Sequence, residues 1–302
     1  MTMKKIRNFA YKVIVLCLVV MITLSGWQLY KAFEKYYKAR TQYNDVIKTA
    51  GSAKVKGTFT GEIDWQSLLS QNQDIRGWLY LEGTIINYPV VRGSDNIFYL
   101  THMFNKAYNG AGSLFMDADA PDNFEGFNTV IYGHHMKDGS MLAAIDKYRR
   151  QDFYEKNKQL ELITPQAKYH LRVIGFELVD ASSEAYRHSF GSDQDKQSLL
   201  DFTAKNSVIN TVDKANVNDK IVTLSTCVYA TGEERYVLVT KMVPWTKSEL
   251  KAASDEQKAI MASSKKEQED KSSDDNKSGE AGFVDNIKLG YEILKGALSN
   301  LT

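Results

Sequence analysis

The chain holds two cysteines, Cys17 and Cys227, and five histidines. Cys227 ends the run Ile221-Val222-Thr223-Leu224-Ser225-Thr226-Cys227, and Arg235 opens the next apolar run after the turn-like stretch Ala230-Thr231-Gly232-Glu233-Glu234. A thiol at the end of a β-branched strand, with a guanidinium on what reads as the neighbouring strand, suits covalent acyl chemistry. Such chemistry needs a base, and Asn128-Thr129-Val130-Ile131-Tyr132-Gly133-His134-His135 offers one as a short strand ending in glycine and then histidine. Successive residues of a strand point to opposite faces, so at most one of His134 and His135 can face Cys227. Taken singly, a strand cysteine is more often a small core residue, and a lone histidine or arginine is more often structural. The three together favour catalysis. His102, His170 and His188 have no motif around them.

Thr223-Leu224-Ser225-Thr226-Cys227, the later Arg235 and Tyr132-Gly133-His134-His135 resemble the sortases, specifically class B. So do Ile85-Ile86-Asn87-Tyr88-Pro89-Val90-Val91, Asp95-Asn96-Ile97-Phe98-Tyr99-Leu100 and Gly112-Ser113-Leu114-Phe115-Met116-Asp117, which are similar to the family's front half. The resemblance implies a cysteine transpeptidase without a cofactor, with His134, Cys227 and Arg235 catalytic and His135 a structural neighbour. It further implies that Asn96, Leu100, Tyr132 and Ser225 line the groove for a sorting peptide and that Tyr186 closes it. From the residues alone, Asn96 could equally cap a short helix and Leu100 could be core. The implied partners are surface proteins or pilins with sorting signals, and an amine from a lipid-linked peptidoglycan precursor or a pilin lysine. Wall anchoring and pilin polymerisation both stay open, and an inert membrane-tethered binding domain is the non-enzyme alternative. Some class B members follow the cysteine with acidic residues; here Val228-Tyr229 follow, which leaves substrate choice open.

Other readings fit less well. Papain-like proteases place the cysteine early and at a helix start, the reverse of the order here. Transpeptidases of the L,D type carry His-Gly-Cys, against Ser225-Thr226-Cys227. Asp117, Asp119, Asp122 and Glu125 cluster, but Pro121 takes the third ligand position of an EF-hand spacing, so an acid-rich turn is the better account. Cys227 with His134 and His135 would give zinc only three soft ligands. Thirty-eight cations against thirty-seven acids, without a basic stripe, give no indication of nucleic-acid binding.

The elements that must position these residues lie in 57–246, the expected catalytic domain. Strands are expected at Gly77 to Leu81, Thr84 to Val91, Ser113 to Met116, Thr129 to Tyr132, Tyr169 to Val179, Lys220 to Thr226 and Arg235 to Val243. Helices are expected at Asp64 to Ser70, Ser140 to Arg149 and Asp193 to Asn206. Many strands with few crossover helices make the fold mainly β, a closed or nearly closed barrel with peripheral helices. The resemblance implies eight strands where this count reaches seven.

Around this domain, residues 1–12 form an expected cytoplasmic N-terminus bearing Lys4, Lys5, Arg7 and Lys12, and 13–30 are apolar and uncharged, long enough for a transmembrane signal anchor. That places a single-pass protein in the cell membrane with its catalytic domain outside. Cys227 is then the only exported thiol. Residues 31–56 read as a helical juxtamembrane segment that either lifts the domain or packs on it through Phe33, Tyr36, Tyr37 and Tyr43. Residues 247–282 read as a flexible or weakly helical polar linker. In 283–302, Phe283, Ile287, Tyr291, Leu294, Leu298 and Leu301 recur at helical steps, an amphipathic C-terminal helix. A chain cut after Pro244 or Trp245 is expected to stay folded.

Overall fold

A computed structural model of the chain describes residues 3–51, 54–55, 58–59, 62–227 and 234–274. The chain enters through one long helix, α1 (Met3–Thr49). Its first part is exposed and apolar from Val13 to Tyr30, and among the described residues it is the one helix long and apolar enough to cross a membrane. The same helix continues past the apolar run. Ala39, Tyr43, Val46 and Ala50 recur at steps of four and three and are buried in the main core, the stripe expected of a helix packed along one side. The Tyr43 hydroxyl donates to the Gly112 carbonyl at 2.6 Å. Phe33 and Tyr37, expected to pack, are exposed instead; they fall on the opposite side of the stripe.

After a small ladder of β1 (Lys54–Val55) with β2 (Thr58–Phe59) and helix α2 (Trp65–Gln71), eight strands close a barrel. They are β3 (Ile75–Tyr80), β4 (Asn87–Val91), β5 (Leu114–Met116), β6 (Asn128–Tyr132), β7 (Gln159–Ile163), β8 (Lys168–Asp180), β9 (Ile221–Cys227) and β10 (Glu234–Pro244). Their order around the barrel is β10-β8-β7-β3-β4-β5-β6-β9. Two contacts are parallel, β4 with β5 and β6 with β9, and the others antiparallel. The strand missing from the sequence count is β7, which pairs with β3 and β8. The helix expected over Ser140 to Arg149 is a 3-10 stretch at Ala143–Arg149, followed by the short helix α3 (Gln151–Lys156).

Two apolar clusters follow from strand alternation. Leu224, Leu238, Phe176 and Val222 belong to the barrel interior. Ile221, Val237 and Val239 form a second cluster with Ile174, Ala185 and Leu200, covered by α4 (Asp193–Asn206). Helix α4 starts where Ser192 accepts from the Asp195 amide at 3.2 Å, an N-cap that supplies a partner for a backbone group the helix cannot. It lies close against β8 because Gly175 has no side chain: a Cβ there would come within 2.5 Å of Thr203 Cγ2.

The described residues from Lys247 onward form a separate unit. Within it Lys247–Asp274 is a helix, α5, where composition favours a flexible or weakly helical linker. Its Ala, Lys, Glu and Gln content is helix-forming even though too polar to make a core. The stripe at 283–302 and the expected boundary at 56/57 lie outside the described residues.

Glu177 on β8 is the misfit in this packing. It is fully buried opposite Val237, and among the described residues neither carboxylate oxygen has a hydrogen-bond partner. Burial pushes its carboxyl up to about 7, a shift that the neighbouring Thr203 hydroxyl offsets only in part and without meeting hydrogen-bond geometry. The folded state thus holds a proton that the unfolded chain has released. This stabilisation is full below the ordinary carboxylate value, falls as pH rises through about 7, and its loss amounts to roughly 3 kcal/mol. Glu177→Gln should flatten the decline in urea midpoint between acid and pH 8; an unchanged pH profile would contradict a buried neutral acid.

Trp245 belongs to the barrel. Its Nε1 donates to Glu161 Oε2 at 2.8 Å, its ring stacks on His170 at 5.3 Å, and His170 Nδ1 lies 2.9 Å from the same carboxylate oxygen. A chain ending after Pro244 should therefore melt several degrees below one ending after Thr246, from the loss of a hydrogen bond worth about 1 to 3 kcal/mol. Equal melting temperatures would show that this contact contributes nothing.

Candidate active site

Strand β9 runs between two partners, and each brings one of the expected residues to its end. Parallel pairing with β6 sets Tyr132 beside Ser225, and the Gly133 amide donates to the Ser225 carbonyl at 3.1 Å. The next residue along β6, His134, therefore reaches the level at which β9 ends in Cys227. Antiparallel pairing with β10 sets Arg235 directly opposite Cys227. The backbones of the three residues thus meet at one rim of the barrel. The side chain of Cys227 and the turn 228–233 lie outside the described residues, so the Val228-Tyr229 departure gains no structural reading.

Gly133 has a steric reason. A Cβ at this position would approach Leu114 Cδ2 to 2.4 Å and Leu142 Cγ to 2.8 Å, both core atoms. Only glycine lets β6 run past the core and deliver His134. The His134 carbonyl accepts from the Leu142 amide at 3.1 Å, and its ring Nε2 is 2.7 Å from the Leu100 carbonyl. A carbonyl can only accept, so Nε2–H donates; in the neutral ring Nδ1 then carries the lone pair available to a proton. His135 turns the other way. Its Nε2 meets Asp146 Oδ2 at 3.1 Å, and its ring lies 6.0 Å from that of Tyr236. The two histidines diverge as strand alternation requires.

A cavity of about 300 Å³ opens at this rim. Asn96, Leu100, Tyr132, Tyr186 and Ser225, all five residues expected to line a groove, line it together with His134 and Arg235. The Tyr186 and Ser225 hydroxyls are 2.8 Å apart, and the Tyr186 ring stacks on Tyr132 with centroids 6.2 Å apart. Tyr132 donates to Asp117 Oδ2 at 2.7 Å while Asn96 Nδ2 donates to Asp117 Oδ1 at 3.1 Å. Burial first, and the Asp117 carboxylate second, push the Tyr132 phenol well above its ordinary value, so it stays a neutral donor. Asn96 does not cap the short 3-10 turn Phe98–Leu100, whose cap position is Ile97; the Ile97 and Phe98 amides donate to Asp95 Oδ1. Asn96 instead ties its segment to the exit of β5, its Oδ1 accepting from the Ala118 amide at 2.8 Å.

Phe115, Ala181 and Thr226 also line the cavity, and sequence reasoning does not single them out. Thr226 and Phe115 carry a signal, since each lies on a strand already assigned to the site. Ala181 lies in a loop and carries none. Within the acidic cluster, Asp117 serves Tyr132 and Asn96, and Asp122 pairs with Arg76 at 2.8 Å. A larger cavity, about 800 Å³, opens beside Gly83, His135, Asp146 and Lys147; neither His134 nor Arg235 reaches it, so size does not mark the chemistry here.

The arrangement can support acyl transfer: a ring nitrogen able to carry a proton, a permanent cation across the strand pair from a thiol position, and a partly apolar cleft to receive a peptide. Comparison with known proteins gives the same answer from a separate direction. A family model described as the sortase domain matches residues 79–243. Sortase B of Staphylococcus aureus (strain NCTC 8325 / PS 47) is 34% identical over 233 residues, 76% of this chain and 96% of that protein. A solved Staphylococcus aureus sortase B–substrate complex superposes with a TM-score of 0.58 at 38% identity, covering 60% of this chain and 85% of the other. A sortase B complexed with triglycine superposes with a TM-score of 0.62 at 34% identity, covering 70% and 99%. With more than half of the chain inside the family model and nearly the full length of a sortase B matched, the chain belongs to the sortases, in class B, and is a cysteine transpeptidase.

Proposed function

We propose that this sortase is anchored in the membrane by residues 13–30, cuts a C-terminal sorting signal outside the cell, and passes the new carboxyl end to an amine of the lipid-linked cell-wall precursor. The observation that carries the assignment of roles is the double register of β9, with Tyr132 beside Ser225 on one side and Arg235 opposite Cys227 on the other. That Staphylococcus aureus sortase B forms a substrate complex and that a sortase B is complexed with triglycine supports a site that receives peptides.

In this reading the Cys227 thiolate attacks the scissile carbonyl, forming a C–S bond and a tetrahedral oxyanion that Arg235 stabilises. Collapse breaks the C–N bond. An amide nitrogen does not leave as an anion, so the His134 imidazolium gives it a proton and the leaving peptide departs as an amine. The thioacyl enzyme remains. His134, now neutral, takes a proton from the incoming amine as that nitrogen attacks; the C–S bond breaks, the thiolate returns, and a new amide is released. Tyr132, Tyr186 and Asn96 hold the peptide, with the Asp117 network keeping Tyr132 in place.

Cleavage of a fluorogenic sorting-signal peptide tests the roles. Cys227→Ala should lose about three orders of magnitude or more, and His134→Ala about two to four. His135→Ala should stay within roughly tenfold, because its ring is engaged by Asp146 and Tyr236 away from Cys227. An active Cys227→Ala protein, or the opposite order of the two histidines, would remove the assignment.

Arg235→Lys keeps the charge and loses the planar fork, so a directional donor predicts a loss of about a hundredfold in kcat/KM. A lysine variant within a factor of about two of wild type would mean that a diffuse positive field suffices and that the carbonyl is held by other groups.

A further inference from the structure

Past its apolar run, α1 does not swing free of the barrel. Lys31, the first residue after Tyr30, lines one surface cleft together with Lys35, Lys38 and Tyr108. Asn109 Nδ2 donates to the Lys35 carbonyl at 3.1 Å. At 1.5 Å per residue Lys35 is about 7 Å beyond Tyr30 along the helix. Residues around Tyr108 therefore sit at the height where a span ending at Tyr30 leaves the hydrocarbon.

The surface that runs from Tyr108 at that height through His102 and Phe98 to Ile97 is apolar and aromatic. Tyr108 is 77% exposed and Ile97 74%. Between them the Phe98 ring stacks on His102 at 4.0 Å, and His102 meets the edge of Tyr108 at 5.7 Å, giving one continuous ring surface. Cations flank it. Lys31, Lys35 and Lys38 share the cleft with a single acid, Glu34, which pairs with Lys31 at 3.4 Å and Lys38 at 2.7 Å. Exposed aromatics beside an excess of lysines, continuous with a membrane span, fit the headgroup layer of an anionic bilayer. The inner side of the same segment carries Asn96 and Leu100, two walls of the active-site cavity.

We propose that the segment 96–108 is a membrane-contact surface: Ile97 and Tyr108 enter the headgroup layer of an anionic phospholipid bilayer and Lys31, Lys35 and Lys38 meet its phosphates, so that the cavity opens at the bilayer surface. This rests on the reading of residues 13–30 as a span. It is a docking of the catalytic domain onto lipid, separate from insertion of the anchor, and it presents the site to an acceptor that is itself held in the bilayer.

The test uses the full chain in nanodiscs of phosphatidylglycerol and phosphatidylcholine whose acyl chains are brominated near the headgroup. Trp27→Phe, read as a difference against the constant emission of Trp65, Trp78 and Trp245, gives the contribution of Trp27 in the apolar run, and Tyr108→Trp adds a reporter on the docking surface. Docking predicts that the added emission is blue-shifted and quenched about twofold, comparably to Trp27. Quenching of Trp27 without quenching at position 108 overturns docking and leaves the span intact; no quenching of Trp27 overturns the span and docking with it. A second measurement uses Ile97→Asp with Tyr108→Asp. Cleavage of a soluble peptide should stay within about twofold of wild type, while transfer to an amine borne on a nanodisc lipid should fall about tenfold. Equal retention of both activities counts against the proposal.

Discussion

The register of β9 is the constraint on which the site depends. Position 227 meets its partners only if β9 keeps one alignment with β6 and another with β10. A slip of one residue would turn every side chain to the other face. Here the cost of a slip is visible: Val222 and Leu224 would leave the barrel interior, and Thr223 and Ser225 would enter it. Polar pins add to this. Thr223 Oγ1 donates to Asn128 Oδ1 at 2.8 Å, and Thr240 Oγ1 donates to the Val222 carbonyl at 2.8 Å, both in buried surroundings. The position of Cys227 is thus set by core packing well away from the end of the strand.

Asn128 extends the same logic to the roof of the cavity. While its Oδ1 accepts from Thr223, its Nδ2 donates to the Ala185 and Arg187 carbonyls at 3.1 and 2.9 Å. Those two residues flank Tyr186, so one buried amide fixes the tyrosine over Ser225. Opposite it, Asp117 receives Tyr132 and Asn96 and joins the strand floor to the neighbouring segment. A buried polar network of this kind costs stability where any member is left unsatisfied, and rigidifies where all are paired. Both networks sit where a peptide would have to be held before attack, which is where rigidity helps most.

Much of this is legible from local pattern. The strand ending in Cys227, the Gly133-His134 exit and the Arg235 strand each carry short-range signals, and the resemblance supplies their order. The groove residues are legible only through that resemblance, since Tyr186 and Asn96 reach the cavity through tertiary ties. Strand β7 escapes a sequence reading although Gln159-Leu160-Glu161-Leu162-Ile163 alternates. Its Glu161 is taken up by His170 across the β7–β8 pair and by Trp245, 84 residues further on. Trp245 reads as an expendable end for the same reason. Glu177 shows the limit most sharply, because a glutamate between Phe176 and Leu178 gives no sign that α4 will cover it.

Helix α1 resolves a choice that composition leaves open. Residues after the apolar run could stand as a free strut or pack on the barrel; the helix packs, held at the Lys35 carbonyl and burying a stripe from Ala39. A hinge would need a proline or a glycine pair, and between Trp27 and Thr49 the sequence has neither. The bond from Tyr43 to Gly112 and the bond from Asn109 to Lys35 clamp this helix to the loop that follows Leu100. Leu100 in turn holds His134 through its carbonyl. An unbroken helix and three hydrogen bonds therefore link the direction of the apolar segment to the placement of the histidine. On the proposed reading of residues 13–30 as a span, the helix would set the orientation of the cavity as well as its distance from the bilayer, which a flexible tether of equal length could not do.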